Sequence, residues 1–331
     1  MRVILDWVAN HTAWDNPLVE QHPDWYERDW DGDFRPTPWW DWSDIIDLDY
    51  RQPGVRRYMT EAMQYWVREA DVDGFRCDVA WYLPLEFWEH VRAELDAIKP
   101  VFMLAEAEFR DLHAASFDAT YAWSWHDALH RIGHGRGTVT DLFRYYSANE
   151  SAWPRDALRM TFVSNHDKNS WEGTQFELMG DALENAIALS VIGEGIPMVY
   201  NGQEAGNRKR LEFFEKDAIE WRDHEVGALY TRLLALRKAH SPLWNGAWGA
   251  RMEPVVNDAP ERVLTFVRRN AEDAVFGLFN FSGEARRARL LDGPFAGAWR
   301  DALSGEEFDL ERDSVVALEP WSFRVLLRRE N

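Results

Sequence analysis

Three carboxylates, Asp78, Glu106 and Asp167, each stand at or just past the end of a short run leaning to apolar residues: 74–78, 101–105 and 159–163. In a strand the side chains alternate between faces, so Arg76 and Asp78 point the same way. A guanidinium beside a carboxylate favours its ionised form, and an ionised Asp at a strand mouth can act as a nucleophile. Taken alone, Arg76–Asp78 reads better as a structural ion pair. Its company changes that. A nucleophilic carboxylate and a carboxylic acid about 5–5.5 Å apart cleave a glycosidic bond with retention. A third carboxylate nearby can orient sugar hydroxyls and keep the proton on the acid, because like charges raise its pKa. His11 and His166 can donate hydrogen bonds to those hydroxyls.

Such chemistry needs a frame that brings strand ends to one rim, and the patterning supplies one. Short β-prone runs at 3–5, 72–79, 101–105, 117–123, 159–163 and 196–200 alternate with helical spacing at 53–70, 84–98, 139–149, 181–192 and 226–240. Alternating strands and helices predict a parallel sheet, and in a (β/α) barrel the C-terminal rim of the strands carries the chemistry. Residues 12–47 form a long excursion rich in Trp, Asp and Pro, and connections of that length are usually functional. After about residue 245 the helical spacing ends. Runs at 263–267, 274–281, 286–291, 315–318 and 323–327 predict a separate antiparallel β-domain. The expected organisation is a region of alternating strands and helices over 1–245, interrupted by the excursion at about 12–47, and a C-terminal β-domain over 246–331.

Composition narrows the classes. The 331 residues carry a formal net charge of −20, which argues against nucleic acid or an anionic membrane as partner. No apolar run approaches the roughly 20 residues of a membrane span. The single cysteine, Cys77, allows no intrachain disulfide. With no leader at the start, this favours the cytoplasm while leaving localisation open. The outlier is tryptophan, 19 residues with seven between Trp7 and Trp42. An indole offers a flat apolar face and one donor, which suits a sugar ring; many of the nineteen must still fill the core.

Four segments then resemble, in order and with compatible gaps, the four signature regions of the α-amylase family, glycoside hydrolase family 13: 6–11 (DWVANH), 74–78 (GFRCD), 104–106 (LAE) and 162–167 (FVSNHD). The resemblance implies a (β/α)8-type TIM barrel followed by an antiparallel β-sandwich domain, acting on α-1,4-glucosidic bonds of starch-type or malto-oligosaccharides. It also implies that the region 1–245 is a partial catalytic barrel and the excursion at about 12–47 a short inserted subdomain. By position, Asp78 matches the nucleophile, Glu106 the general acid/base and Asp167 the third carboxylate. Asp6, His11, Arg76 and His166 match residues supporting the sugar at the cleavage point. Glu108 shares a strand face with Glu106, but Glu106 directly follows the apolar run and fits the motif. Trp81 and Tyr82 look like a wall for an acceptor sugar, so a transglycosylase or isomerase is the neighbouring reading, and an impaired sugar-binding protein the reading from another class. Asn201 and Glu204 are read as rim structure.

Two departures from the family pattern stand out. Asn10 matches a calcium ligand of calcium-dependent members, but 79–82 (VAWY) lacks the histidine that supplies another. A metal is therefore not expected to be required, with Asn10 the candidate ligand if one binds. The acidic cluster at 29–33 lacks an EF-hand pattern and reads as a solvated loop. The strand at 3–5 matches the third of the family's barrel, so the first two β/α units have no counterpart. A six-strand remnant is expected to expose two edges, and these could drive self-association.

Overall fold

The computed structural model describes residues 1–329, which group into two compact units, Met1–Tyr121 and the chain from Ala122 onward. The first holds β1 (Ile4–Val8), β2 (His11–Ala13), α1 (Pro17–Gln21), β3 (Ile45–Asp47), α2 (Pro53–Glu69), β4 (Gly74–Asp78), α3 (Leu85–Asp96), β5 (Phe102–Ala105) and β6 (Ala119–Tyr121). Strands β1, β4, β5 and β6 pair in parallel in that order, with Asp6 opposite Arg76, Val8 opposite Asp78, Cys77 opposite Ala105 and Leu104 opposite Ala119.

Helix α2 forms because Val55, Met59, Met63 and Val67 recur every fourth residue, a stripe that is buried throughout. Pro53, with no N–H to leave unsatisfied, opens it. The stripe joins Phe87, Trp88, Val91 and Leu95 of α3 in one core with Phe75 and Cys77 of β4. That packing fixes the strand's facing: once Phe75 and Cys77 meet the helices, Arg76 and Asp78 turn to the other side. Gly74 begins β4 at φ 154°, and a Cβ there would lie 1.9 Å from the Phe102 carbonyl oxygen. Only glycine lets β5 approach so closely.

The excursion is closed at its base by the antiparallel pair β2–β3, with His11 opposite Asp47. Asn10, buried, donates to Asp47 (2.9 Å) and Thr37 (3.2 Å) beneath it. The first strand runs past the expected 3–5 to Val8, so Asp6 lies within the strand, not at its end.

The second unit holds α4 (Trp123–Gly133), α5 (Val139–Ala152), β7 (Leu158–Thr161), α6 (Gln175–Met179), α7 (Leu183–Ile192), β8 (Ile196–Pro197) and α8 (Glu225–Ala239). Strands β7 and β8 pair in parallel, Met160 opposite Ile196. Nine short strands follow: β9 (Glu253–Pro254), β10 (Val256–Asn257), β11 (Val263–Arg269), β12 (Ala274–Asn280), β13 (Arg286–Asp292), β14 (Gly297–Asp301), β15 (Glu307–Leu310), β16 (Val315–Leu318) and β17 (Phe323–Arg328). They make two antiparallel sheets, ordered β15-β14-β17-β12-β11-β9 and β10-β13-β16.

After α8 helices give way to short strands, and the two kinds of element pack together. Leu129, Leu142, Leu189 and Leu233 of the helices share one core with Leu264, Phe266, Val275 and Phe279 of the sheet. The strand expected over 117–123 stops at Tyr121, and Trp123 instead starts α4. No helix among the described residues is long and apolar enough to cross a membrane.

Candidate active site

In the first unit the site is built around Arg76. Its side chain is 8% exposed. Nη1 donates to Asp78 Oδ1 (2.6 Å) and Asp6 Oδ1 (2.8 Å). Nη2 lies 2.8 Å from Glu106 Oε1, an ion pair without the alignment of a hydrogen bond. Nε donates to the Tyr121 hydroxyl (3.2 Å), whose ring lies 5.8 Å from the guanidinium carbon. Burial weighs against the Arg76 charge, but Tyr121, Glu106, Asp6 and Asp78 outweigh it and raise the guanidinium above its ordinary value. Tyr121 is pushed up to about 12, chiefly by burial. A rigid planar fork suits this task because it presents several donors in fixed directions.

Glu106 follows β5, and its N–H bonds the Cys77 carbonyl (3.0 Å), which sets it level with Asp78. Its Oε2 accepts the Val79 N–H (2.9 Å). Val79 can aim that N–H because it sits in the left-handed region at φ 43°, ψ 40°. For a β-branched residue this is a real outlier, of the kind that gathers at functional sites. Arg76 thus brings Asp6, Asp78 and Glu106 together on one guanidinium. His11 is close enough for Asp78, Asp47 and Asp44 to raise it, but burial is the larger effect and lowers it, so its imidazole is neutral at pH 7.

Trp81 and Tyr82 lie on a 3-10 turn directly after Val79, stacked with ring centroids 3.8 Å apart. Trp81 is 41% exposed. Their row continues to Phe109 (6.1 Å from Trp81) and to Trp42 (6.4 Å from Tyr82). Trp40 stacks on Trp42 at 5.3 Å and donates to the Tyr82 hydroxyl, clipping the excursion to this wall.

In the second unit, Asp167 and His166 follow β7, with His166 Nε2 3.4 Å from Asp167 Oδ2. Their side chains are 36% and 40% exposed. Asn165 Oδ1 accepts the Lys168 N–H (2.7 Å), starting a π-helical turn over Lys168–Glu172. Tyr200, after β8, has its hydroxyl raised by burial and next by Asp167. Of the two rim residues read there, Glu204 accepts the Gly202 N–H (3.0 Å), and Asn201 is exposed.

Asn10, which would meet a calcium ion through its carboxamide oxygen, donates from its nitrogen to Asp47 and Thr37, and no group of three His, Cys, Asp or Glu side chains placed to hold a metal occurs among the described residues. In the acidic cluster, Asp29 Oδ1 accepts the N–H groups of Asp31 (2.9 Å) and Asp33 (3.1 Å), capping its own turn.

Residues 1–225 match the model of the α-amylase catalytic domain. The chain belongs to the α-amylase family. An α-amylase of Haloarcula japonica is 29% identical over 334 residues, a match spanning 95% of this chain and 48% of that protein. A cyclomaltodextrinase of Geobacillus thermopakistaniensis is 25% identical over 371 residues, 98% of this chain and 58% of its own length. The chain therefore spans about half the length of the curated relatives it matches. Among solved structures, a maltogenic α-amylase of Thermotoga neapolitana superposes with a TM-score of 0.88 at 27% identity, over 100% of this chain and 78% of that one. The fold is that of the family, barrel-type parallel strands and helices followed by a C-terminal β-domain.

Sequence reasoning missed Tyr121, Tyr200, Trp40, Trp42 and Phe109. Tyr121 and Tyr200 had a signal, since each lies at or near the end of a β-prone run. The others sit in irregular segments where no period marks them.

Proposed function

We propose that this chain carries the catalytic machinery of a retaining glycosidase acting on α-1,4-glucosidic bonds of starch-type or malto-oligosaccharides. The observation that carries the reading is the Arg76 fork, which holds Asp78 and Glu106 on two nitrogens of one guanidinium. Two carboxylates spanned by one such group suit the close spacing of a retaining pair better than the wide spacing of an inverting one.

Glu106 gives its proton to the glycosidic oxygen as an Asp78 oxygen attacks the anomeric carbon, and the bond to the leaving sugar breaks. Water, giving a proton back to Glu106, then displaces Asp78 with a second inversion. Arg76 occupies Asp78 Oδ1, which leaves Oδ2 to attack. Glu106 Oε2 accepts the Val79 N–H, and Oε1 meets Arg76 through an ion pair rather than an aligned hydrogen bond. Neutral His11 can donate to a sugar hydroxyl, and in the second unit Asp167 with His166 offers further partners for sugar hydroxyls.

A second reading, transfer of the glycosyl group to a sugar, draws on the Trp81–Tyr82 stack, which offers an acceptor ring a flat face. The test is incubation with starch, cyclodextrin and maltotriose, with product identification for the native chain and Asp78→Ala. Turnover retained in that variant overturns the assignment. Products longer than the substrate favour transfer.

A further inference from the structure

Three aromatic side chains of the second unit are exposed where a chain that only had to fold would bury them. Trp171 is 59%, Phe213 42% and Phe214 68% exposed. They touch one another: Trp171 lies 5.2 Å from Phe213 and 6.2 Å from Phe214, and the two phenylalanines are 4.9 Å apart. The group begins beside the residues already described. Phe213 lies nearly parallel to His166, at 25° and 6.4 Å, and Trp171 sits on the π-helical turn that follows Asp167.

This exposure is built. Asn169, 4% exposed, accepts the Leu211 N–H at Oδ1 (2.9 Å) and donates from Nδ2 to the Lys209 carbonyl (3.3 Å), tying the turn to the loop that carries both phenylalanines. Asn207 donates to the same carbonyl (3.0 Å). Asp217 accepts the Glu212 N–H (3.1 Å) and pairs with Lys209. One buried amide thus fixes the mutual position of three rings that are themselves mostly in water. Rings held in place lose little conformational entropy on binding, which is the use of such an arrangement.

The geometry points to a glucan-binding platform at Trp171, Phe213 and Phe214, which extends the sugar site at His166 and Asp167 by further glucose units of the same chain. The inference rests on the reading of Asp167 as a sugar-binding carboxylate. The platform is continuous with that residue's neighbour, and it is small. Three partly exposed rings offer a few hundred Å² at most, against roughly 1,200–2,000 Å² buried in a stable protein–protein contact. Exposed aromatic ring faces also suit a ligand with apolar faces and hydroxyl edges.

The experiment compares native protein, Trp171→Ala, Phe214→Ala and Trp171→Phe. Maltoheptaose and maltotriose binding is measured by calorimetry, with KM and kcat for both and sedimentation velocity alongside. Both alanine variants are expected to weaken maltoheptaose binding and raise its KM about tenfold, the size of a contact worth about 1.4 kcal/mol. Expected besides are kcat within about twofold, maltotriose parameters unchanged, and recovery of most of the loss in Trp171→Phe. Unchanged maltoheptaose binding in both alanine variants overturns the platform. So does an equal loss for the two sugars, or a shift from dimer to monomer with binding intact, which would mark the rings as a contact between copies. The binding arm does not need turnover: a native protein that binds maltoheptaose through these rings without cleaving it keeps the platform and refutes the catalytic reading.

Discussion

Asp78 and Asp167 lie at or after the ends of short parallel strands, yet their surroundings are opposite. The Asp78 side chain is 18% exposed and fixed by Arg76, which also holds Asp6 and Glu106 and is itself braced by Tyr121. Asp167 is twice as exposed, 36%, with the His166 ring 3.4 Å away. The first is a preorganised cluster, its dipoles and charges in place before a substrate arrives, the arrangement that contributes most when charge develops in a transition state. The second is a more open group with fewer fixed partners, which on the proposed function would gain them from the substrate. Strand-end position alone thus does not set a carboxylate's task; what neighbouring strands bring to it does.

The contrast breaks most visibly at Arg76. Arg76→Met leaves Asp78 and Glu106, both largely shielded from water, without their counter-charge, so both fold and activity should suffer: up to about 3–5 kcal/mol of stability and at least about 10³-fold in kcat/KM. Denaturant unfolding and maltooligosaccharide kinetics check this; stability within about 1 kcal/mol of native would show that Arg76 organises nothing. Asp167→Asn should separate the two properties, with kcat/KM falling about 10²-fold or more while stability stays within about 0.5 kcal/mol, as for other exposed sites. A cooperative loss of stability there would erase the distinction.

Acid sensitivity of the second unit should come in part from His126. Burial lowers the His126 imidazole, with Asp127 opposing that, Lys168 adding to it and Glu172 opposing it weakly. The unfolded chain therefore takes up the proton first. Stability is whole above the unfolded value, about 6.5, and falls as pH drops below it, by up to about 1.4 kcal/mol per pH unit until the folded group also protonates. In His126→Gln the change in unfolding free energy between pH 7 and pH 5.5 should be smaller than in the native chain. The finest test is Tyr121→Phe, which removes the 3.2 Å bond to Arg76 Nε and keeps the ring. It should cost about 0.5–1.5 kcal/mol of stability and a few-fold in kcat, less than any change at Arg76 itself.

Much of this was legible in the sequence because it follows from period and punctuation. The stripe of α2 reads directly from Val55 to Val67, and the alternation in 74–78 correctly sets Arg76 and Asp78 apart from Phe75 and Cys77. Asp6, Arg76, Asp78 and Glu106 were all named from sequence; that one guanidinium joins them depends on the register of three strands, which no local pattern encodes. Helix α4 was missed because it starts at Trp123 without a side-chain cap, directly after a strand of three residues. Strands β14 and β15 were missed because they are short and mix charged with apolar residues, with Trp299 the large fully buried anchor of the first. The core shared by α7 and β12 was not legible, because contact between them leaves no trace in either segment's own spacing.

That shared core has a consequence for modularity. Helix α7 is buried around nearly its whole circumference, and its Asn185 donates to the Asn280 carbonyl of β12 at 2.9 Å. A chain ended after Ala239 would lay one side of α7 open to water and strand an interior amide, so the β-domain is not a detachable appendage. Gene fusions, domain swaps and limited proteolysis at that junction should yield insoluble fragments, and exchange between family members should succeed only when helix and sheet travel together.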